Sequence, residues 1–286
     1  MLLPPLGRFR TGPGRLFLAV LAFAVLAPFS LRAQDESGDG SLYSKLIEPI
    51  PDHTDAGSRK IIETHLKALG GQEALNKIEA VRISSHMRRA HFEGDLIMTE
   101  TGNPYRYHVK TTVKRLGKLY DKFEGYNGEI LWEYDPNEKR AFPKQIDGLR
   151  LKDAANGFFL DPCLDWEARG CTFEYLGEVK SKGRPHYLLK MYTSAGRTLF
   201  LYFEAKTLMI TRMGAEIIFG GAIVDEDVYN TSFEKVNGVW FPVAQEYYID
   251  NQKLGEGKIT LIEVNPEIEP GLFDMPKVRE RWLRQQ

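Results

Sequence analysis

Tyr105, Tyr107, Val109, Thr111 and Val113 alternate with Arg106, His108, Lys110, Thr112 and Lys114. A period of two with one polar face predicts an antiparallel strand that is wet on one side. The same rhythm predicts strands over residues 81–88, 91–99, 119–126 and 130–134. It resumes over 172–180, 186–192, 198–203, 208–219, 223–234, 239–249 and 257–264. Gly102-Asn103-Pro104, Asn127-Gly128, Asp135-Pro136-Asn137 and Asn237-Gly238 separate the runs. Asn-Gly between alternating runs is a strong hairpin signal, because both residues tolerate the positive φ of a tight turn. Five strands precede an interruption and seven follow it.

Two stretches have a helical period instead. Ile61, Ile62, His65, Leu66 and Leu69 fall on one stripe, with Asp55 or Ser58 as cap and Gly70-Gly71 as stop. A short helix follows, with Ala74, Leu75 and Ile78 on its buried side. Leu149, Leu151, Ala154, Ala155, Phe158 and Phe159 predict a helix over 148–160, inserted into the meander and ending before Asp161-Pro162. The expected fold is mainly β with α. It is a curved antiparallel meander forming an unclosed half-barrel of about 11–12 strands, covering an N-terminal helix and an inserted lid helix. An outer-membrane barrel would need an apolar lipid-facing side on every strand, which Arg106, His108, Lys110 and Lys114 contradict.

The N-terminus changes the arithmetic. Arg8, Arg10 and Arg15 precede an apolar run over 16–31, and Leu31-Arg32-Ala33 reads as a cleavage site. The rival reading is a retained anchor, but the run is shorter than the roughly 20 residues of a spanning helix and contains Pro28. The expected organisation is therefore a signal peptide at 1–33, a flexible leader at 34–57, the domain at 58–276 and a tail at 277–286, with the protein exported to the periplasm. The 286 residues carry 38 basic and 39 acidic side chains. Loss of Arg8, Arg10, Arg15 and Arg32 would leave 34 basic residues, a net charge of −5. That balance argues against a nucleic-acid partner or an electrostatic grip on anionic membranes.

The search for chemistry is nearly empty. There is no nucleophile elbow, phosphate loop or zinc-protease motif. His86 and His91, five apart in a strand, should face opposite sides, so no metal site is expected. Asp161, Asp165 and Glu167 lack a nucleophile, and loop and cap roles fit them better than acid/base work. No catalytic residue and no cofactor is expected. Cys163 and Cys171 are the only cysteines. In an oxidising compartment they are expected to form a disulfide beside the lid. Aromatic residues make up 12% of the chain. Trp132, Tyr134, Leu151, Phe158, Phe159, Trp166, Phe200, Tyr202 and Trp240 flank the strands and the inserted helix. They are the expected lining of an apolar concavity.

Asn127-Gly128-Glu129-Ile130-Leu131-Trp132-Glu133-Tyr134-Asp135-Pro136 resembles the hairpin of the periplasmic lipoprotein carriers, the LolA-like family. Asn265-Pro266-Glu267-Ile268-Glu269-Pro270-Gly271-Leu272-Phe273 resembles that family's closing tail. Ala68-Leu69-Gly70-Gly71-Gln72-Glu73-Ala74-Leu75 and Leu164-Asp165-Trp166-Glu167-Ala168-Arg169-Gly170 are similar to outer-membrane lipoprotein-sorting proteins. The resemblance spans roughly residues 57–276. It implies an apolar cavity for the acyl chains of lipids or lipoproteins, a helical lid, and membrane-bound donor and acceptor proteins for a monomeric carrier. The family holds its lid with an arginine directly before a strand-opening proline. Here Asn103 precedes Pro104, leaving Arg106 as the candidate latch. The same fold also serves as a sensor or scaffold that binds a protein partner.

Overall fold

Asp55 caps the first helix: its carboxylate accepts hydrogen bonds from the Ser58 amide (2.9 Å) and the Ser58 hydroxyl (2.6 Å). Helix α1 (Ala56–Leu69) then buries Ser58, Ile62, His65 and Leu69 along one side. It ends where Gly70 and Gly71 donate their amides to the Leu66 carbonyl. Gly71 has φ 84°, a conformation that costs glycine little. Helix α2 (Gln72–Asn76) follows and buries Leu75. The computed structural model describes residues 44–277, apart from 90, 91, 116, 139, 140, 220 and 221. The signal-peptide expectation, His91 and all but the first residue of the expected tail lie outside the described residues.

The strands are β1 (Ala80–Arg89), β2 (Phe92–Thr101), β3 (Arg106–Arg115), β4 (Lys118–Tyr126), β5 (Leu131–Tyr134) and β6 (Lys144–Ile146). Helix α3 (Leu149–Ala155) interrupts them. They continue as β7 (Thr172–Ser181), β8 (Arg184–Tyr192), β9 (Thr198–Glu204), β10 (Ile210–Phe219), β11 (Ala222–Val236), β12 (Val239–Ile249) and β13 (Gln252–Val264). All belong to one antiparallel sheet in the order β6-β5-β4-β3-β2-β1-β13-β12-β11-β10-β9-β8-β7. The first and last strands pair in its middle, and β6 and β7 are its free edges. The meander is unclosed, as expected. The thirteenth strand is β6, three residues too short to show a period.

Alternation sorts the two faces. Tyr107, Val109, Thr111 and Val113 are buried, while Arg106, His108, Lys110 and Thr112 are only partly covered. The inner face carries two apolar clusters. One gathers Val81, Ile83, Met98, Tyr107, Leu131 and Phe241 with Leu69 and Leu75 of the helices. The other gathers Phe173, Leu189, Leu201, Phe203, Met213 and Tyr247 with Ile62 of α1. Helix α1 lies between them, and Leu66 touches both.

Two expectations need correction here. The leader is not a free tether where it is described. Leu46 is buried in the second cluster, the Glu48 amide donates to the Gly196 carbonyl (2.9 Å), and Thr54 Oγ1 accepts the Phe173 amide (3.0 Å). The inserted helix is also shorter than the apolar pattern suggests. Asn156 closes it by returning both its amide and its side chain to the Lys152 carbonyl. Past Gly157 the chain turns sharply, with Leu160 at φ 63°. Among the described residues no helix is long and apolar enough to cross a membrane.

Candidate functional site

The segment 147–171 crosses from edge β6 to edge β7 and covers the inner face of the sheet. Ala154, Leu160 and Leu164 enter the first cluster, and Phe158, Cys163 and Cys171 enter the second. Its backbone comes very close to β2–β3. A Cβ on Gly157 would lie 2.2 Å from the Tyr105 ring, and one on Gly102 would lie 2.6 Å from Phe159. Glycine at both positions lets the cover sit flush on the turn.

Polar ties fasten this cover. Arg150 Nη2 reaches Glu124 at 3.3 Å and Nη1 reaches Glu133 at 3.5 Å. The Tyr107 hydroxyl donates to the same Glu124 at 2.9 Å. Asp153 faces Arg197 at 3.7 Å, and Arg197 donates to the Glu216 carbonyl at 2.9 Å. Burial raises the Asp153 carboxyl from 3.8 to about 6, against the opposing pull of Arg197. Desolvation outweighs the ion pair there.

The floor beneath holds further polar groups. Glu100 is fully buried; the Tyr105 hydroxyl donates to Oε1 at 3.4 Å, and Oε2 accepts no hydrogen bond. Burial pushes its carboxyl well above the usual carboxylate range, against the pull of the Tyr105 hydrogen bond. Tyr105, Tyr107 and Tyr126 form a triangle with ring centroids 6.1–6.5 Å apart. In the other half, Arg89 lies over the Tyr247 ring at 5.4 Å, and burial raises nearby Glu226 to about 8 despite Arg89.

A third tie joins the cover to helix α1. His65 Nε2 stands 3.0 Å from Asp161 Oδ2, and His65 Nδ1 stands 2.7 Å from the Leu208 carbonyl. The carbonyl can only accept, so Nδ1 carries a proton. Asp161 Oδ1 accepts the Cys163 amide at 2.8 Å. Burial opposes a charge on His65, but the Asp161 carboxylate overcomes this and raises its pKa. A void of about 20 Å³ beside His65 and Asp161, bounded also by Met209, Asn230 and Trp240, has room for about one water molecule.

The expected lining residues divide by face. Leu151, Phe159 and Trp240 pack against the first cluster; Phe158 lies within the second, with Trp166 against it. Trp166 also meets Phe173 edge-on at 5.4 Å, under the Arg59 guanidinium. The other four do not reach the inner face. Trp132 pairs with Gly125 on the outer side, where its Nε1–H donates to the Phe273 carbonyl at 2.8 Å. Tyr134 stacks on Phe123 at 6.1 Å. Phe200 and Tyr202 alternate with the buried Leu199, Leu201 and Phe203, and lie against Lys190 and Arg212 respectively. Arg106 sits 4.8 Å over the Phe273 ring and donates to Thr101 Oγ1. It is thus placed on the tail, and the cover's guanidinium ties come from Arg150 and Arg197. Cys163 and Cys171 are separate buried thiols, not a disulfide. The Cys163 sulfur belongs to the His65–Asp161 group, while the Cys171 sulfur faces the Arg169 carbonyl.

Sequence reasoning missed Arg150, Glu100 and the His65–Asp161 contact. The last had a signal: an imidazole in the middle of an apolar helical stripe needs a buried partner.

No protein-family model matches the chain, and no curated protein sequence does. Solved structures are similar to it. A DUF1329 family protein from Desulfovibrio piger superposes with a TM-score of 0.50 at 12% identity, over 76% of this chain and 96% of that one. An outer membrane lipoprotein-sorting protein domain from Vibrio parahaemolyticus gives 0.49 at 13% identity, over 74% and 97%. A LolA superfamily protein from Nitrosomonas europaea gives 0.49 at 10% identity, over 75% and 96%. At such identities the likeness is one of fold alone. The architecture expected from the sequence is the one this chain adopts: an N-terminal helix, an unclosed curved meander and an inserted cover.

Proposed function

We propose that the protein is a periplasmic carrier that takes up acyl chains of lipids or lipoproteins on the inner face of its sheet, with segment 147–171 as a displaceable cover. The observation that carries this reading is how the apolar face is closed. It is covered by a segment with one seven-residue helix, fastened by polar ties and by a few apolar side chains. Those side chains fill the space a ligand would take, so uptake is an exchange. Uncovering Phe158, Leu160 and Leu164 costs about 1.5–3 kcal/mol each, and an entering chain regains about 0.8 kcal/mol per methylene. A chain of about six to eleven methylenes balances the exchange. Uptake and release are then both accessible, and a membrane-bound donor or acceptor protein can tip them. Partition into such a face needs no catalytic group.

The test is a reversible staple. Ser194 Oγ and Asn156 Oδ1 are in contact across the edge of the cover. An Asn156→Cys/Ser194→Cys variant should bind a fluorescent fatty acid when reduced and lose binding when oxidised. Native mass spectrometry of wild-type protein from periplasm should show bound lipid. Equal binding by both redox forms, or no acyl ligand in either experiment, overturns the proposal. A protein-binding sensor of the same fold would instead retain its partner in both redox forms.

A further inference from the structure

We propose that His65, Asp161 and Cys163 form a metal site for a thiophilic divalent cation such as Zn²⁺, clamping the cover to helix α1. The trio brings together an imidazole, a carboxylate and a thiol, all buried, with their ligand atoms within 4.8 Å of one another. Nitrogen, oxygen and sulfur ligands at about 2.0–2.3 Å from a tetrahedral zinc stand about 3.3–3.8 Å apart. No pair in the trio therefore has more than about 1.5 Å to close.

Three features favour a cation over a plain buried ion pair. The first is orientation. The bond from His65 Nδ1 to the Leu208 carbonyl is the outer contact that fixes a ligating histidine, and it aims Nε2 at Asp161. The backbone supports this aim at both ends. Leu208 and Leu160, which carry that carbonyl and lead into Asp161, are held at φ 58° and 63°, a conformation leucine adopts at a cost. The second is charge. A dication held by a neutral imidazole, a carboxylate and a thiolate forms a buried group of net charge zero, with the Sγ proton released to solvent. The third is room. The void beside His65 and Asp161 holds about one water, which would supply the fourth ligand.

The site lies where the cover meets the helix beneath it, so metal binding would oppose lifting of segment 147–171. The proposal stands independently of what the inner face carries.

The full chain, stripped with a chelator and dialysed against Co²⁺, should bind one equivalent. It should show a thiolate-to-cobalt charge-transfer band together with tetrahedral d–d absorption. Zn²⁺ should displace the cobalt and slow Cys163 modification by a thiol reagent at least ten-fold, in a Cys171→Ser background that leaves one thiol. Cys163→Ser should lose the charge-transfer band, and His65→Gln should lose stoichiometric binding. Absence of a bound equivalent, a cobalt spectrum without thiolate character, or Zn²⁺ leaving Cys163 modification unchanged in the folded Cys171→Ser protein overturns the assignment. The last two readouts do not require the ligand variants to fold.

Discussion

Asp153→Asn should make the protein more stable at neutral pH, although it removes one member of an ion pair. The carboxyl titrates at about 6 in the folded protein against an ordinary 3.8, because burial outweighs the attraction of Arg197 at 3.7 Å. Between those two values the folded chain keeps a proton that the unfolded chain has released. Stability from this group is therefore fully present below 3.8, falls as pH rises through the window, and stays lower above about 6. At about 1.4 kcal/mol per pH unit, the gap is worth about 3 kcal/mol, with the Arg197 attraction already included. Asparagine never ionises and avoids this cost. Its expected gain is about 1–3 kcal/mol at pH 7.5 and close to zero at pH 4. Urea unfolding followed by tryptophan fluorescence at both pH values measures the difference, provided the slope with denaturant is unchanged. A loss of stability at pH 7.5, or the same change at both pH values, would refute the claim that desolvation dominates this contact.

His108 carries the opposite sign. Burial and then Lys110 lower its pKa from 6.5 to about 4, so its contribution is present above 6.5 and lost as pH falls to about 4. His108→Phe, which preserves the ring contacts with Phe123 and Trp132, should flatten the acid side of the stability profile by up to about 3 kcal/mol in denaturation at pH 4–7. Gly125→Ala should cost about 3 kcal/mol, because its Cβ would lie 2.4 Å from the Trp132 indole; thermal melting measures the loss. Arg150→Met keeps the packed stem but frees Glu124 and Glu133. It should speed amide exchange about ten-fold in residues 149–164, with little change in the rest of the sheet.

What was legible in the sequence was periodicity and punctuation. Asn127-Gly128 and the Tyr107 to Val113 alternation fixed strands and turns, and Asp55 or Ser58 marked the helix cap, a choice the structure resolves to Asp55. Alternation alone could not say which face points inward. Trp132 and Leu131 are neighbours of similar hydrophobicity, and both are buried, because the outer face at β5 is covered by Phe273. The same ambiguity moved Phe200 and Tyr202 to the outside, where Lys190 and Arg212 cover them. Long-range ties were hidden for another reason. His65 and Asp161 lie 96 residues apart, and only the closed fold brings them together. The cysteine spacing permitted a disulfide, but the turn between them points the two sulfurs at different partners.

The seam between β1 and β13 has a kinetic consequence. Every other strand pairs with a neighbour in the chain, so two local meanders can each grow hairpin by hairpin. Joining them requires contacts such as that between the Ala80 amide and Asn265, which lie 185 residues apart. Closing so long a loop is entropically costly and slow, and the seam is expected to zip late in folding. Until it does, the inner edges of both half-sheets are unpaired. The folding intermediate is then at its most vulnerable to edge-to-edge association at the middle of the finished sheet, far from the edges that remain open in the native protein.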